Sequence, residues 1–311
     1  MKTTMKKKYL LFAAAALTLA ACSNDDENLN GGPVELRLSS SLEVQTRAGN
    51  DIQGAQFDAD EDIDVFIHED VAAGETATSQ YDQPLLYTTM DANGNMSTNN
   101  QQYFPSSGKG VNIYAYYPSK AVSSIAEGAT EDFTIQSDQS TDENYKLSDL
   151  MWGAANNPVE RTRDAVPLTF SHLLTKVTVN LKQGDGQPDL EGAVVKLKGV
   201  LPTTTLTTST GNISEAKGTA TDITVMKASA NDDRGSAVII PQTLSGEFFE
   251  VTLKDGGVLR AKINSQETIT FMSGKEYKYE ITVNLTTLVV FSSAIKDWTT
   301  ESTGSGYAEM Q

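Results

Sequence analysis

The chain has 311 residues, with 24 Lys or Arg against 41 Asp or Glu, so its formal net charge is −17. Such an acidic surface argues against nucleic acid and anionic membranes as partners and favours solubility outside the cell. A single cysteine, Cys22, excludes a disulfide framework, and two histidines exclude a histidine-rich metal site.

The first 21 residues have the features of a secretion signal. Basic residues precede an apolar run over 9–19, and the sequence Leu-Ala-Ala then leads directly to Cys22. This ending resembles the lipobox of bacterial lipoproteins and predicts a lipid on Cys22; the alternative is an ordinary signal that ends near a cysteine by chance. Two or three acyl chains, at about 0.8 kcal/mol per buried CH₂, would hold the protein in the outer membrane.

Residues 22–33 are polar and acidic and end in Gly-Gly-Pro, which predicts a tether. The acidic residues directly after the cysteine resemble the export signal of Bacteroides-type lipoproteins that reach the cell surface. A generic solvated linker would have a similar composition.

The next eleven residues, VELRLSSSLEV at 34–44, alternate between apolar and polar side chains at every position but Ser40, which predicts a half-buried strand. The apolar set is Val34, Leu36, Leu38, Leu42 and Val44. Arg47 and Ala48 follow shortly afterwards, and the peptide bond between them comes directly after a basic residue. The stretch is therefore either an ordinary first strand or a strand that one cut could release.

Short alternating runs separated by turn residues continue along the chain. They predict strands near 63–67, 111–117, 177–181, 195–197, 269–271 and 277–285, a β-hairpin from 249–253 and 259–263, and an apolar tail from 288. Residues 119–165 are expected to be irregular and polar, and we place a domain boundary there, after Asp164. Since no segment beyond the signal shows a long 3.6-residue period, the sequence predicts an all-β protein, built as sandwiches.

Little in the sequence indicates catalysis or a cofactor. His172 is expected to be structural or exposed, and no G-x-S-x-G or phosphate-binding glycine loop is present. Asp91 begins a run like a calcium loop, but Met96 stands where that loop needs glycine, so a plain turn is expected. The acidic run 58–62 is expected to be a solvated loop. A carboxylate pair for glycoside chemistry needs no local motif, yet nothing selects two of the acids.

Several phrases of the sequence together resemble the fimbrillin family, the type V pilins of Bacteroides-type bacteria. They are Tyr114–Pro118 (YAYYP), Asp149–Gly153 (DLMWG), Leu168–Val179 (LTFSHLLTKVTV), Val238–Leu244 (VIIPQTL), Gly274–Val283 (GKEYKYEITV) and Ile295–Trp298 (IKDW). Taken together, in this order and behind a lipobox, the matching phrases cover nearly the whole mature chain.

The resemblance implies two transthyretin-like β-sandwich domains, 34–164 and 165–311, behind the signal and tether. It also implies a lipoprotein precursor from which an arginine-specific protease removes the first strand, here by a cut after Arg47. A strand from the C-terminal region of the next subunit then fills the vacated groove. In this chain that donor would come from 286–311, with Leu288, Val290 and Ile295 as candidate plugs.

The predicted function is therefore a subunit of a cell-surface fimbria that supports adhesion, with other fimbrial subunits as partners and a host or bacterial surface ligand as a further candidate. The alternative is a lipoprotein of the same fold that keeps its first strand and acts as a pilus anchor or a glycan- or host-binding adhesin. An extracellular hydrolase is a third alternative.

Overall fold

Short strands joined by turns account for nearly all of the regular structure. The structure, a computed structural model, describes residues 32–42, 57–72, 75, 81, 83–91, 94–227, 234–262 and 268–298. The elements of the first half are β1 (Leu38–Leu42), β2 (Asp62–Glu69), β3 (Leu85–Thr89), β4 (Met96–Ser97), β5 (Val111–Tyr117), β6 (Thr130–Thr134), α1 (Asp142–Leu147), β7 (Met151–Ala154) and β8 (Val166–His172).

The second half contains strands alone within its described residues. They are β9 (Thr175–Gln183), β10 (Val194–Val200), β11 (Thr203–Thr207), β12 (Asn212–Ile213), β13 (Thr221–Thr224), β14 (Met226–Lys227), β15 (Arg234–Ile239), β16 (Thr243–Ser245), β17 (Glu247–Thr252), β18 (Val258–Lys262), β19 (Thr268–Thr270), β20 (Lys275–Val283) and β21 (Leu288–Asp297). The predicted all-β class is confirmed, while the transthyretin-like arrangement stays a prediction.

The strands form five sheets. The largest has the order β1-β8-β7-β5-β2-β3-β4, and a five-stranded sheet has the order β14-β15-β9-β20-β21. The other three are β13-β10-β17-β18, β12-β11-β6 and β16-β19. The hairpin predicted from 249–263 is confirmed, because β17 pairs antiparallel with β18.

The seven-stranded sheet is buried on both faces at its centre. In β2 the side chains of Ile63, Val65 and Ile67 are fully buried on one face, and Phe66 is fully buried on the other. Phe66 belongs to a large apolar cluster that also collects side chains from β9, β10, β15, β17 and β20. Asp64 lies on the Phe66 face; burial raises the pKa of its carboxyl, and an oxygen accepts the Lys120 N–H at 2.5 Å.

The expectation of an irregular stretch at 119–165 is wrong, because β6, α1 and β7 lie within it. The helix has six residues and is capped by Thr141, whose side chain accepts the Asn144 N–H. A helix this short gives no recognisable 3.6-residue period, and β6 and β7 have only five and four residues. The segment therefore contains structure that its sequence pattern is too short to reveal.

The domain boundary after Asp164 stays a prediction. The next strand, β8, pairs with β7 and β1 in the seven-stranded sheet. Earlier in the chain, β6 pairs with β11 rather than with any strand of that sheet. Strands on either side of the expected boundary therefore hydrogen-bond across it.

Candidate functional site

The first strand pairs with a strand that is distant in the sequence. β1 runs parallel to β8 along its whole length, with Leu38 opposite Val166 and Leu42 opposite Phe170. One residue before β1, the Arg37 carbonyl oxygen accepts the Val166 N–H at 2.8 Å. Because residues opposite each other share a face of the sheet, the apolar side of β1 and that of β8 face the same interior.

A second segment, residues 94–104, borders the first strand on its other side. The Leu36 N–H donates to the Gln102 carbonyl at 2.9 Å, and the Ser40 N–H donates to the Gly94 carbonyl at 2.7 Å. This segment contains β4, which ends the sheet on the side opposite β1. The first strand therefore closes the seven-stranded sheet on itself.

We call the space that residues 34–42 occupy between β8 and residues 94–104 the slot. Four of the five predicted groove-filling residues lie in it, each at most 4% exposed: Val34, Leu36, Leu38 and Leu42. The intervening Arg37 is exposed, and its guanidinium lies 3.2 Å from the Glu35 carboxylate. The fifth predicted residue, Val44, is outside the described residues.

Ser40 is the one polar residue on the inward side of the slot. It is only 7% exposed, and its hydroxyl donates to the Gly94 carbonyl at 3.3 Å. Gly94 has φ +81°, and a Cβ built on it would lie 1.9 Å from the Ser40 carbonyl oxygen. Only glycine fits here, because any other residue would collide with the backbone of the first strand.

Aromatic side chains pack in the interior that the slot closes. The Phe57 ring meets the Phe170 ring edge-on at 5.0 Å and the Tyr117 ring at 5.4 Å. Tyr87 is also buried, its hydroxyl has no hydrogen-bond partner among the described residues, and burial raises its pKa to about 12. The interior is therefore largely apolar and suits an occupant with apolar side chains.

At the other end of the chain, β21 is the edge strand of the five-stranded sheet and pairs antiparallel with β20. A bulge lies at Ser293, because Lys278 is opposite Ala294 while Tyr279 is opposite Ser292. Because the bulge inserts one extra residue, the positions that share one face of β21 change from even-numbered before it to odd-numbered after it.

The three predicted donor residues consequently lie on one face of β21. Leu288, Val290 and Ile295 are opposite Val283, Ile281 and Tyr277, all three of which are buried. Val290 is 8% exposed and Ile295 is 50% exposed, while Leu288 is partly buried against the large cluster. These residues are contacts of the chain's own fold, and their role as donors stays a prediction.

Four of the sequence phrases meet at the end of β8. The His172 Nδ1 is 2.8 Å from an Asp149 carboxylate oxygen, and the His172 ring stacks on the Trp298 ring with centroids 4.0 Å apart. The Trp298 N–H donates to the Gly274 carbonyl at 2.6 Å. His172 is therefore a structural residue, and it connects the strand beside the slot to the end of β21.

A family model confirms the identification made from those phrases. The model for fimbrillin-like proteins matches residues 46–298. The chain belongs to the fimbrillin-like family. That family comprises fimbrial subunits and cell-adhesion proteins of the cell surface, and it is a structural family that is not known to be enzymatic.

One curated protein and two solved structures are similar to this fimbrillin-like protein. A Bacteroides uniformis protein named "Putative fimbrium subunit Fim1C" is 26% identical over 322 residues, which is 98% of this chain and 100% of that protein. The crystal structure of a "putative cell adhesion protein" from Bacteroides ovatus covers 87% of this chain and 100% of its own, with a TM-score of 0.66 and 20% identity. The tip fimbrial protein Mfa3 from Porphyromonas gingivalis covers 86% and 100%, with a TM-score of 0.50 and 10% identity. The two structures establish similarity of fold alone.

The processing residues predicted for the fimbrillin-like chain lie outside the described residues. They are Cys22, Arg47 and Ala48. In the described ranges no helix is long and apolar enough to cross a membrane. Nor do any three Asp, Glu, His or Cys side chains of those ranges come close enough together to hold a metal ion.

Hydrogen bonds also show the local structure of Asp91 and of the acidic run 58–62. Asp91 forms a turn, because the Gly94 N–H donates to its carbonyl at 3.2 Å and the Asn95 side chain donates to its carboxylate at 3.0 Å. The acidic run 58–62 is not simply a solvated loop. Glu61 bonds to Lys146 of α1 and accepts the Tyr117 hydroxyl at 2.9 Å.

Sequence reasoning missed Ser40 and Gly94. Ser40 has the same parity as the leucines around it, so the alternation of β1 does place it inward. Gly94 stands in a turn-rich run, where a glycine has many explanations. The contact between the two residues depends on the closure of the sheet.

Proposed function

We propose that this fimbrillin-like protein is a structural subunit of a cell-surface fimbria that supports adhesion. It is exported as a lipoprotein held in the outer membrane through Cys22. An arginine-specific protease cuts after Arg47, the first strand leaves, and a strand of another fimbrial subunit takes its place.

The position of the first strand in the slot carries this proposal. Removal of this strand would reopen the seven-stranded sheet and leave one edge of β8 without a neighbouring strand. Burial of Val34, Leu36, Leu38 and Leu42 contributes on the order of 1.5–3 kcal/mol each before ordering costs. An empty slot would expose this apolar surface together with unpaired backbone groups, which favours capture of another strand.

The location of the predicted cut supports the same sequence of events. Arg47 follows the last described residue of β1, Leu42, by five positions, and the family match begins at residue 46. One cut there would separate the anchored strand from the body of the protein without breaking any described element. The lipid and the first strand would leave together.

Treatment of the purified precursor with an arginine-specific protease tests the proposal. We expect the wild type to form an SDS-resistant ladder and Arg47→Ala to remain a single band. Arg163→Ala, at another exposed arginine, is the matched control and should form the ladder. If the wild type is trimmed at Arg47 and stays monomeric, the fimbrial-shaft mechanism is refuted.

A second function, a lipid-tethered anchor or adhesin that keeps its first strand, is favoured by the hydrogen bonds on both sides of that strand. A strand held this way leaves only slowly. The mature N-terminus on cells distinguishes the two functions: Ala48 indicates release of the strand, and Cys22 indicates that it is retained.

A further inference from the structure

Residues 130–139, which we call the crossing segment, belong to the first half of the chain but lie among strands of the second half. Among the described strands β1–β8, only β6 lies outside the seven-stranded sheet. It pairs instead with β11, antiparallel, along the whole of Thr203–Thr207. The chain therefore leaves the first sheet after β5, supplies a strand to the second half, and returns to the first sheet at β7.

The end of the crossing segment lies along the edge of the four-stranded sheet. That edge is β13, which contains Thr224. The Thr224 N–H donates to the Ser137 carbonyl at 2.8 Å, and the Gln139 N–H donates to the Thr224 carbonyl at 3.0 Å. The crossing segment thus continues the hydrogen bonding of this sheet by one short stretch of parallel backbone.

The side chain of Gln139 connects the crossing segment to the five-stranded sheet as well. Its Oε1 accepts the Val238 N–H at 2.7 Å, and its Nε2 donates to the Val238 carbonyl at 2.8 Å. The neighbouring strand β14 pairs with β15 only as far as Ser236, so the amide satisfies backbone groups that lie beyond that strand. Gln139 and Val238 are both fully buried, and the loss of these bonds would leave two buried backbone groups without partners.

Apolar side chains of the crossing segment enter the core of the second half. Phe133 and Ile135 are 7% and 3% exposed and belong to the large apolar cluster. Tyr145 of the following helix, α1, belongs to the same cluster, whereas Lys146 of that helix bonds to Glu61 of the first half. The second half therefore buries part of its apolar surface against residues that the first half contributes.

We propose that the crossing segment locks the two halves of this protein into one cooperative unit, and that Gln139 is the residue that positions it. Separation of the halves requires the pairing with β11, the bonds to Thr224 and the bonds of Gln139 to break together. In a fimbria each subunit transmits tension between its two neighbours, so a locked subunit would not come apart between its halves. This role under tension rests on the proposed function, whereas the lock itself does not.

Native-state hydrogen exchange of the uncleaved precursor in low urea tests the lock, because it measures the opening of each part of a protein separately. The slowest amides of β2 and β5 report on the first half, and those of β9 and β20 report on the second half. Both groups should exchange with the same opening free energy and with the same dependence on urea. If one half opens while the other stays protected, the lock does not exist.

Gln139→Ala tests the positioning role, with Gln136→Ala as its matched control. Gln136 is an exposed glutamine of the same segment, and its side chain bonds to no described residue. Because Gln139→Ala leaves the Val238 N–H and carbonyl buried and unpaired, the opening equilibrium constant of both halves should rise about tenfold or more. Gln136→Ala should change it by less than about threefold. A rise confined to the second half, or equal small effects of the two variants, overturns the proposal.

Single-molecule pulling of the wild-type precursor by its two ends tests the lock under tension. The first strand should detach in a short initial step. Residues 57–298 should then unfold in one step of about 80 nm, whereas independent halves would give two steps of about 40 nm each. Two such steps refute the role under tension. The SDS-resistant ladder is a separate result, because its absence would refute the fimbrial mechanism and leave the lock standing.

Discussion

Leu36→Ala tests most directly whether the first strand belongs to the core of the uncleaved protein. Leu36 is fully buried, and its backbone N–H bonds to the Gln102 carbonyl, a bond that alanine retains. The loss therefore comes from the side chain. Removing three buried carbon atoms and leaving a cavity costs about 2–5 kcal/mol, so the unfolding free energy of the precursor should fall by that amount.

Urea unfolding of the uncleaved precursor, followed by tryptophan fluorescence, measures the change. The matched control is Arg37→Ala, the next residue in the same strand, whose side chain is 59% exposed and forms only a surface ion pair with Glu35. Such pairs contribute at most about 1 kcal/mol, so this variant should unfold close to the wild type. Equal, small losses for the two variants would refute the packing of the first strand in the slot.

Three further changes have defined outcomes in the same unfolding assay. Gly94→Ala should destabilise the precursor more than Gly108→Ala. Both glycines have positive φ, but only the new methyl group at position 94 would collide with Ser40. Equal losses of unfolding free energy would contradict the close approach of Gly94 to Ser40. Trp298→Ala should cost about 3–5 kcal/mol, and a loss below about 1 kcal/mol would mean that the ring is not packed. Tyr87→Phe should cost nothing below pH 10, because the hydroxyl has no partner among the described residues. The wild type should then lose stability relative to this variant as the pH rises from 10 towards 12, because the raised pKa keeps the proton on the folded form; parallel pH curves would refute this.

The first strand shows what the alternation of apolar and polar residues can predict by itself. The period of two correctly predicts the inward positions of Val34, Leu36, Leu38 and Leu42, because side chains in any strand point to opposite faces in turn. The same rule does not say which strand lies alongside. The hydroxyl of Ser41 reaches the carbonyl of Leu168, 127 residues away, and no local pattern specifies that partner.

The last strand shows why local patterns can also mislead. The serines at 292–293 interrupt the apolar run in the sequence, and in the structure the bulge falls at Ser293. It places Leu288, Val290 and Ile295 on one face, although their numbers differ in parity. A sequence pattern assumes a regular strand, whereas pairing with β20 decides where the strand is irregular.

The sequence by itself determined the all-β class, the membership of the fimbrillin-like family and the inward residues of the first strand, because these depend on composition, ordered motifs and the two-residue period. Only the tertiary structure decided that the first strand closes a seven-stranded sheet between β8 and residues 94–104. It also decided that Gly94 touches Ser40 there. Closure brings together segments far apart in the chain, and their contact depends on the packing of the whole sheet rather than on either segment alone.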